Sequence, residues 1–266
     1  MDKLGLVPTM GNLHRGHLSL LEMSLSANQT TVLTIFVNPT QFSPSEDLDQ
    51  YPRTFEADLE GIQKVHQKHP QKDIIIFHPK DPTEVYPKGD IEYYPTSELC
   101  FELEGNVRPT HFRGVLTVVK LLFELIKPTR AYFGKKDYQQ FVLISKMVKE
   151  TGLPVEVIAG ELVRDKTGLA LSSRNSYLSE EQKKKALLLS TSLREVATSI
   201  QEKGLLHAQE KIQSILNKYK AFNYLEVRNP ETLALPNEAD KKFIVLGNFN
   251  IHTINILDNI EVHLGS

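Results

Sequence analysis

Residues 8–17 read Pro8-Thr9-Met10-Gly11-Asn12-Leu13-His14-Arg15-Gly16-His17, and they form the connection that decides the fold. A short apolar run at residues 4–7 precedes this stretch and predicts a buried strand. Leu18, Leu21 and Leu25 follow it at the spacing of the inward face of a helix. The stretch is therefore predicted to be a strand-to-helix turn that contains two glycines and two histidines.

The residues of this turn favour phosphate binding. A helix N-terminus presents backbone N–H groups without helical partners and the positive end of the helix dipole, and both suit phosphate. Gly11 and Gly16 carry no Cβ, so a ligand can lie close to the main chain. His14 and His17 are three residues apart and point to the same side of a first helical turn. Two imidazoles there can donate hydrogen bonds to a polyphosphate and offset charge as a P–O bond breaks. A single His-x-x-His pattern is more often solvated surface, so this prediction depends on the motifs below.

The composition indicates a globular chain without the basic charge pattern that is typical of nucleic-acid-binding proteins. The 266 residues are 24% charged and 40% hydrophobic, which fits one large domain or a main domain with a smaller one. The net charge of −2 is made of interspersed signs, so no basic surface for nucleic acid is expected. The single cysteine, Cys100, excludes an internal disulfide and is expected to be a small, partly buried residue. No apolar run approaches the roughly 18 residues of a membrane span. The N-terminus does not fit a signal peptide, so a cytoplasmic location is expected.

Strand-like and helix-like patterns alternate through the first two-thirds of the chain. Predicted buried strands lie at residues 31–37 and 74–77, and further strands are predicted at 131–133 and 155–159. Predicted helices lie at residues 55–69, 115–126 and 141–148. This alternation predicts the α/β class, with a doubly wound parallel sheet. Ligands of such sheets bind beyond the carboxyl ends of the strands. The turns Thr9–His17, Asn38–Gln41 and Gly134–Gln140 each follow a strand, so we expect them at one edge of the sheet.

The pattern changes after residue 175. Ser179 and Gln182 have the spacing of a capping box, which predicts the start of a helix. Two helices separated around Gly204 are then followed by strands at residues 224–227, 243–246 and 251–257. We therefore predict a nucleotide-binding catalytic domain over residues 1–175 and a small α+β C-terminal domain with an antiparallel sheet over residues 176–266.

The second predicted strand ends in Asn38-Pro39-Thr40-Gln41. The amides of Asn38 and Gln41 can both donate and accept hydrogen bonds, as recognition of a hydroxylated carboxylate requires. Taken alone, this segment is more simply a turn fixed by Asn-Pro. The acidic stretch at residues 46–53 is long and polar enough to be a mobile flap that excludes water.

A second polar segment, Gly134-Lys135-Lys136-Asp137-Tyr138-Gln139-Gln140, follows the strand at residues 131–133. Lys136 offers a point charge for phosphate, and Asp137 offers a hard oxygen ligand for Mg²⁺. Gln140 lies one helical turn beyond Lys136 and can reach an acid substrate. By itself, a Lys-Lys-Asp cluster usually marks only a solvent-exposed surface segment.

A third segment covers residues 163–175. It reads as a hairpin around Asp165-Lys166-Thr167-Gly168, followed by a polar loop. Ser172 and Ser173 offer hydroxyl groups and Arg174 a charged fork, a set that suits the outer phosphates of a triphosphate. In isolation, Ser-Ser-Arg-Asn indicates only a loop.

Taken together, these motifs resemble those of a known family. His14-Arg15-Gly16-His17 resembles the His-x-Gly-His signature of the nucleotidylyltransferases, which attack the α-phosphate of ATP and release pyrophosphate. With Pro8-Thr9-Met10-Gly11 before it and the three later segments in order, the chain is similar to the pantoate–β-alanine ligase family. The resemblance covers nearly the whole chain, and four separated motifs in order are far more specific than any one of them.

The resemblance implies a fold, a reaction and partners. The fold would be Rossmann-like, and the activity an ATP-dependent ligation of pantoate to β-alanine. A pantoyl adenylate would be the intermediate, and pantothenate, AMP and pyrophosphate the products. ATP as co-substrate, Mg²⁺ and a homodimer are implied, whereas nucleic acid and membrane partners are not. Only Met1-Asp2-Lys3 precede the first strand where the family has a further helix, so that helix is expected to be missing.

The resemblance also assigns site residues. The catalytic residues would be His14, His17, Lys136 and Arg174, with His17 as proton donor, and Asp137 would be the metal ligand. Asn38, Gln41 and Gln140 would bind pantoate and β-alanine. ATP would contact Met10, Gly11, Asn12, Leu13, His14, Arg15, Gly16, His17, Gly134, Lys136, Asp137, Val163, Leu171, Ser172, Ser173 and Arg174. Lys135 stands where the family usually has Glu, so no role is assigned to it. Residues 109–115 also resemble the family, either as a helix entry or as a direct contact.

Three alternatives make different predictions. An adenylyl transferase that stops after joining AMP to a phosphorylated headgroup needs a basic pocket where Gln41 and Gln140 stand, and two amides argue against it. An inactive nucleotide-sensing module would have lost a histidine or the Lys136–Arg174 pair, and all are present. A tRNA synthetase fragment would need a lysine-rich catalytic loop and an RNA-binding surface, and the sequence offers neither.

Overall fold

The computed structural model describes residues 3–44, 46, 48–86, 93, 95 and 97–265. The chain forms two compact units. The first contains residues Met1–Lys135 and Leu143–Leu162, and the second contains Lys136–Val142 and Val163–Ser266.

The first unit is built on a five-stranded parallel sheet. Its strands are β1 (Leu4–Thr9), β2 (Thr30–Ile35), β3 (Asp73–Phe77), β4 (Arg130–Gly134) and β5 (Glu156–Gly160), in the order β3-β2-β1-β4-β5. β1 is central, with β2 on one side and β4 on the other, so the winding direction reverses beside its carboxyl end. This topology is the Rossmann-like, doubly wound sheet that the sequence predicts, and such a reversal is where these folds bind ligands.

Helices connect the strands of this unit. They are α1 (Arg15–Ala27), α2 (Phe55–His66), α3 (Glu104–Val107), α4 (His111–Ile126) and α5 (Tyr138–Thr151), whose first residues belong to the second unit. The inward face of α1 packs against β1 and β2 through Leu21, Leu25, Val7 and Leu33, all buried. The apolar spacing in the sequence therefore identified the buried face of α1. The predicted helices at residues 115 and 141 begin earlier, at residues 111 and 138.

One predicted buried strand is not buried. β3 lies at the edge of the sheet and pairs with β2, and the Ile75 side chain is 53% exposed. A continuous apolar run is typical of a strand covered on both faces, but the run carries no information on the strand's place in the sheet. Topology, rather than composition, set the exposure of Ile75.

The second unit contains two helices and an antiparallel sheet. α6 (Glu180–Lys203) and α7 (Leu205–Lys218) meet at Gly204, whose φ of 84° ends α6, and the Ser179–Gln182 capping box is present. β6 (Phe222–Arg228), β7 (Lys242–Ile251) and β8 (Ile254–His263) follow, with β7 central. The predicted single strand at residues 251–257 is wrong, because a two-residue turn with His252 at φ 58° divides it. Apolar residues on both sides of a tight turn read as one run in the sequence.

The two units divide the chain differently from the predicted domains. Residues 163–175 and 136–142 belong to the second unit. Both segments contact β8 of this unit. Arg164 of the first pairs with Asp258, and the Lys136 carbonyl of the second accepts from the Asn259 side chain. The domain boundary at residues 175/176 stays a prediction.

The described residues include no helix that is long and apolar enough to span a membrane. The single cysteine, Cys100, is 2% exposed, and burial raises the pKa of its thiol to about 11. Because the thiolate is the reactive form, this environment predicts an unreactive side chain.

We expect Cys100 of the folded protein to resist a disulfide-exchange reagent at mildly alkaline pH. The same reagent should titrate one thiol once the chain is unfolded in guanidinium. Absorbance of the released thiol measures both reactions. Stoichiometric modification of the native protein before any unfolding would contradict the burial of Cys100.

Gly114 of α4 permits a close approach of main chains. A Cβ on Gly114 would lie 2.3 Å from the Thr40 carbonyl oxygen and 2.5 Å from the Gln41 nitrogen. We expect Gly114→Ala to lower the free energy of unfolding by roughly 1–3 kcal/mol, because backbone atoms cannot move aside easily.

Gly61 of α2 provides the matched control, since a Cβ there meets Leu18 at an ordinary 3.4 Å. Gly61→Ala should leave stability unchanged or raise it by up to about 1 kcal/mol through helix propensity. Urea unfolding of the two variants beside the parent measures the difference. Equal stabilities for both variants would contradict the tight contact at Gly114.

Candidate active site

The turn between β1 and α1 depends on two residues with positive φ. Gly11 has φ 81° and Asn12 has φ 50°. A Cβ on Gly11 would lie 3.1 Å from both the Asp58 carboxylate and Ile35, so this position has little room besides its left-handed conformation. Asparagine is among the residues that tolerate this conformation best. The two residues turn the chain from the end of β1 into the start of α1.

His14 caps α1 with its imidazole. The Gly16 N–H donates to His14 Nδ1 at 3.1 Å, and the His14 N–H donates to His17 Nδ1 at 3.4 Å. The two rings stack, with centroids 4.0 Å apart and planes 23° from parallel. Because Nδ1 accepts in both rings, a neutral imidazole at either position carries its proton on Nε2. Both histidines therefore present an Nε2–H as hydrogen-bond donor.

Four backbone N–H groups of this turn, at Asn12, Leu13, His14 and Gly16, are bonded within the protein, whereas the sequence predicts N–H groups that are left for a ligand. Besides those of His14 and Gly16, the Asn12 and Leu13 N–H groups donate to the Asp58 carboxylate at 3.0 and 2.7 Å. The prediction that amides of this turn bind phosphate therefore does not extend to these four N–H groups.

Asn38 and Gln41 lie at the carboxyl end of β2, where Pro39–Gln41 forms a short 3-10 helix. The Asn38 side chain is 1% exposed, and its Nδ2 donates to the Gly114 carbonyl and to Gln41 Oε1, both at 3.2 Å. Its Oδ1 accepts from the Tyr86 hydroxyl at 2.7 Å. Protein groups thus use both ends of the Asn38 amide, and this side chain fixes the orientation of Gln41.

Gln41 is held beside the histidine turn. Its Nε2 lies 2.9 Å from Met10 Sδ, so the predicted acid-binding amide lies against the first residue of the predicted ATP motif. The Gln41 carbonyl oxygen accepts from Arg108 at 3.3 Å and lies 3.1 Å from His111 Nδ1. Sequence reasoning singled out residues 109–115 without a role for His111, and it missed Arg108 and Tyr86, for which no local pattern gives a signal.

The predicted flap at residues 46–53 lies partly outside the described residues, since Asp47 is not among them. Glu46 forms a bidentate pair with Arg108, at 3.0 and 2.5 Å. Tyr51 is buried, and its ring packs edge-on against Phe42. The mobility of this segment stays a prediction.

In the second unit, the Lys136–Asp137 segment is attached to β8. Lys136 Nζ pairs with Asp137 Oδ1 at 3.0 Å. Asn259 Nδ2 donates to the Lys136 carbonyl at 3.0 Å, and the Tyr138 hydroxyl donates to Glu261 at 3.1 Å. Gln140 is half-buried in the same unit. The main chain that carries Lys136 is therefore fixed by side chains of a distant strand.

The predicted hairpin of the second unit is present and attached to the same strand. Arg164 and Ala170 pair across it, and the Leu171 N–H donates to the Val163 carbonyl at 2.9 Å. Arg164 makes a bidentate pair with Asp258 at 2.7 and 2.8 Å. Burial raises the pKa of the Asp258 carboxyl above its usual value, against the lowering effect of Arg164. Lys136 and the hairpin thus bind adjacent residues of β8.

The polar loop after the hairpin is a short 3-10 helix, Ser173–Tyr177. The Ser172 hydroxyl caps it by accepting the Arg174 N–H at 3.3 Å, and Asn175 donates to the Ala170 carbonyl at 2.9 Å. Ser172, Ser173 and Arg174 are half-buried. These contacts gather Val163, Leu171 and the Ser-Ser-Arg segment into one local structure.

Gly134 and Lys135 both lie in the first unit. Gly134 ends β4 in the first unit. Lys135, to which no role is assigned, pairs with Glu161 at 2.8 Å. The part of the chain that the structure describes contains no group of three or more His, Cys, Asp or Glu that could hold a metal ion by itself.

The comparisons with known proteins agree with this arrangement. A family model described as pantoate-beta-alanine ligase matches residues 1–261. Curated relatives include the pantothenate synthetases of Acetivibrio thermocellus, 42% identical over 98% of this chain and 92% of its own length, and of Thermotoga petrophila, 41% identical over 96% and 90%.

Solved structures agree as well. The crystal structure of pantothenate synthetase from Thermus thermophilus has a TM-score of 0.88 at 41% identity, and the match covers 98% of this chain and 94% of that one. A pantoate-beta-alanine ligase from Francisella tularensis, complexed with beta-gamma ATP and beta-alanine, has a TM-score of 0.71 at 31% identity over 97% and 89%. A family model that spans nearly the whole chain and relatives at about 40% identity leave one conclusion: the chain belongs to the pantoate–β-alanine ligase family.

Proposed function

We propose that this protein condenses pantoate with β-alanine at the expense of ATP, giving pantothenate, AMP and pyrophosphate. The observation that carries the proposal is the pair of stacked imidazoles at the start of α1, with the Gln41 amide held against Met10 of the same turn. Two imidazole N–H donors suit a phosphate and a side-chain amide suits an organic acid, and this pairing supports the proposal. Family membership and the ATP and β-alanine of the Francisella tularensis relative support the substrates.

In the first step, a pantoate carboxylate oxygen attacks the α-phosphorus of ATP, and the bond to the leaving pyrophosphate breaks. The substrate carboxylate is already a nucleophile, so no covalent protein intermediate is needed. The Nε2–H groups of His14 and His17 donate to the oxygens on which charge develops, and His17 is the proton donor. Catalysis then comes from positioning and from positive charge around the phosphates.

The remaining site residues bind the nucleotide. Lys136, Ser172, Ser173 and Arg174 hold the phosphates, and the main chain at Val163 meets the adenine. Further ATP contacts are assigned to Met10, Gly11, Asn12, Leu13, Arg15, Gly16, Gly134, Asp137 and Leu171. Since the Asn12 and Leu13 N–H groups are already bonded to Asp58, their contacts to ATP must be through other atoms.

Asp137 is the residue that would hold Mg²⁺. A single carboxylate fits this ion, because Mg²⁺ in nucleotide sites is bound by one or two carboxylates together with phosphate oxygens and water. The Asp137 side chain is 44% exposed, and its Oδ1 pairs with Lys136 Nζ at 3.0 Å, so the ion would share this carboxylate with the lysine. When bound, the ion would offset charge on the phosphates.

In the second step, the amine of β-alanine attacks the carbonyl carbon of pantoyl adenylate, and AMP leaves. Gln41 and Gln140 hold pantoate through both steps, and Asn38 acts by fixing Gln41. Residues 46–53 exclude water from the adenylate. By resemblance to the family, we also propose that the protein is a cytoplasmic homodimer, which light scattering can test against the 30.2 kDa of one chain.

The central test is an omission assay. AMP formation from ATP should require both pantoate and β-alanine, whereas exchange of pyrophosphate into ATP should require pantoate alone. Adenylyl transfer to a phosphorylated acceptor without any amine would favour the rival transferase. Absence of both AMP formation and pyrophosphate exchange would contradict the proposal.

We expect His17→Ala to lower the rate of pyrophosphate release by on the order of 10²-fold or more, because it removes a donor to the developing charge. Single-turnover release from ATP and pantoate measures this step. Glu22→Gln changes an exposed side chain of the same helix and should leave the rate unchanged. A near-normal rate for His17→Ala would remove His17 from the chemistry.

We expect Gln140→Ala to raise the KM for pantoate by about 10-fold, because it removes hydrogen bonds to the acid, each of which contributes about 1 kcal/mol or more. The KM for β-alanine should change much less. Lys149→Gln, at an exposed position of α5, is the matched control. An unchanged KM and kcat for pantoate would show that Gln140 lies away from the acid.

A further inference from the structure

Asp58 of α2 is a buried carboxylate for which the proposed mechanism has no use. Its side chain is 2% exposed. Its Oδ2 accepts the Asn12 N–H at 3.0 Å, and its Oδ1 accepts the Leu13 N–H at 2.7 Å and the Thr54 hydroxyl at 3.2 Å. Removing a carboxylate from water is costly unless hydrogen bonds compensate it, so these three donors explain how it is tolerated.

The two amides that Asp58 binds lie where the turn most needs support. Asn12 has φ 50° and follows Gly11 at φ 81°. Asparagine tolerates this conformation better than most residues, but two successive residues with positive φ still need surroundings that hold them. The next residue after Leu13 is His14, whose Nδ1 caps α1 and whose ring stacks on His17. The carboxylate thus fixes the main chain immediately before the histidine pair.

Asp58 is itself held by a rigid element. It lies in the first turns of α2, with its N–H donating to the Thr54 carbonyl at 2.9 Å. The positive end of the α2 dipole favours a negative charge at this position. One helical turn later, Ile62 is buried in the core that α1 and β1 share. The packing of α2 against the first unit therefore determines where the carboxylate meets the turn.

We propose that Asp58 is a positioning residue for the two catalytic histidines. The proposal rests on the proposed function, in which His14 and His17 act on the α-phosphate. By binding the Asn12 and Leu13 amides, the carboxylate holds the left-handed turn so that both imidazoles present Nε2 to the same ligand. Because it occupies two backbone donors with a negative charge, it also confines phosphate to the imidazole side of the turn.

The test compares Asp58→Asn with the parent protein. An asparagine has the same size, but its amide oxygen can replace only one carboxylate oxygen, and its NH₂ group would face a backbone donor. We expect the rate of pyrophosphate release to fall by on the order of 10²-fold, as for a small misplacement of catalytic groups. The KM for β-alanine should stay unchanged. Amide hydrogen exchange at Asn12 and Leu13, measured without substrates, should be slow in the parent and much faster in the variant.

Three further variants separate positioning from stability. Ile62→Val weakens the packing of the same helix, and Glu56→Gln removes an exposed charge beside Asp58. Both should keep the parent rate and the parent exchange at Asn12 and Leu13. Asp58→Glu keeps a carboxylate on a longer side chain, so it should recover part of the rate and part of the protection.

The outcomes are distinct. An Asp58→Asn variant that folds and releases pyrophosphate at the parent rate would overturn the proposal. Fast amide hydrogen exchange at Asn12 and Leu13 in the parent would overturn it too. If Ile62→Val has the same melting temperature as Asp58→Asn and loses as much rate, Asp58 contributes only to stability. This result also overturns the proposal. If the parent protein lacks ligase activity, the proposed function is refuted. If amide exchange at Asn12 and Leu13 is still faster in Asp58→Asn than in that parent, the result supports the proposal that Asp58 fixes the turn.

Discussion

The start of α1 depends on one hydrogen bond, from the Gly16 N–H to His14 Nδ1. This bond caps the helix, and it also uses the ring nitrogen that would otherwise compete for the proton. The same side chain therefore begins the helix and presents Nε2–H as a donor. A helix N-terminus that binds an anion commonly does so through its own backbone amides. Here the amides are used to orient imidazoles, which can also transfer protons.

Buried polar side chains in the first unit orient Gln41 in a similar way. Asn38 is fully hydrogen-bonded to Tyr86, Gly114 and Gln41, and this network holds the amide that is proposed to bind pantoate. A buried polar group is stable only when its partners are complete. The network therefore serves both requirements: it satisfies Asn38, and it restricts Gln41 to one orientation.

In the second unit, strand β8 has the corresponding role. Asp258 of this strand binds the hairpin through Arg164. The adjacent Asn259 binds the segment that carries Lys136, through the Lys136 carbonyl. Two segments that are far apart in sequence are thereby fixed to one strand. Residues of a small C-terminal sheet, which touch no substrate in the proposed mechanism, support the residues that are proposed to bind ATP.

The sequence by itself determined the existence of the longer helices, most strands, the capping box at Ser179 and the order of the four motifs, because spacing, turn residues and caps are local properties. The family resemblance rested on the same local motifs. Only the tertiary structure decided that β3 is an exposed edge and that a turn divides residues 251–257. It also decided that Asp58, Tyr86, Arg108 and Asp258 each hold candidate site residues of their own unit. The partners of these residues lie tens of residues away, and no periodicity in a single chain records which distant groups meet.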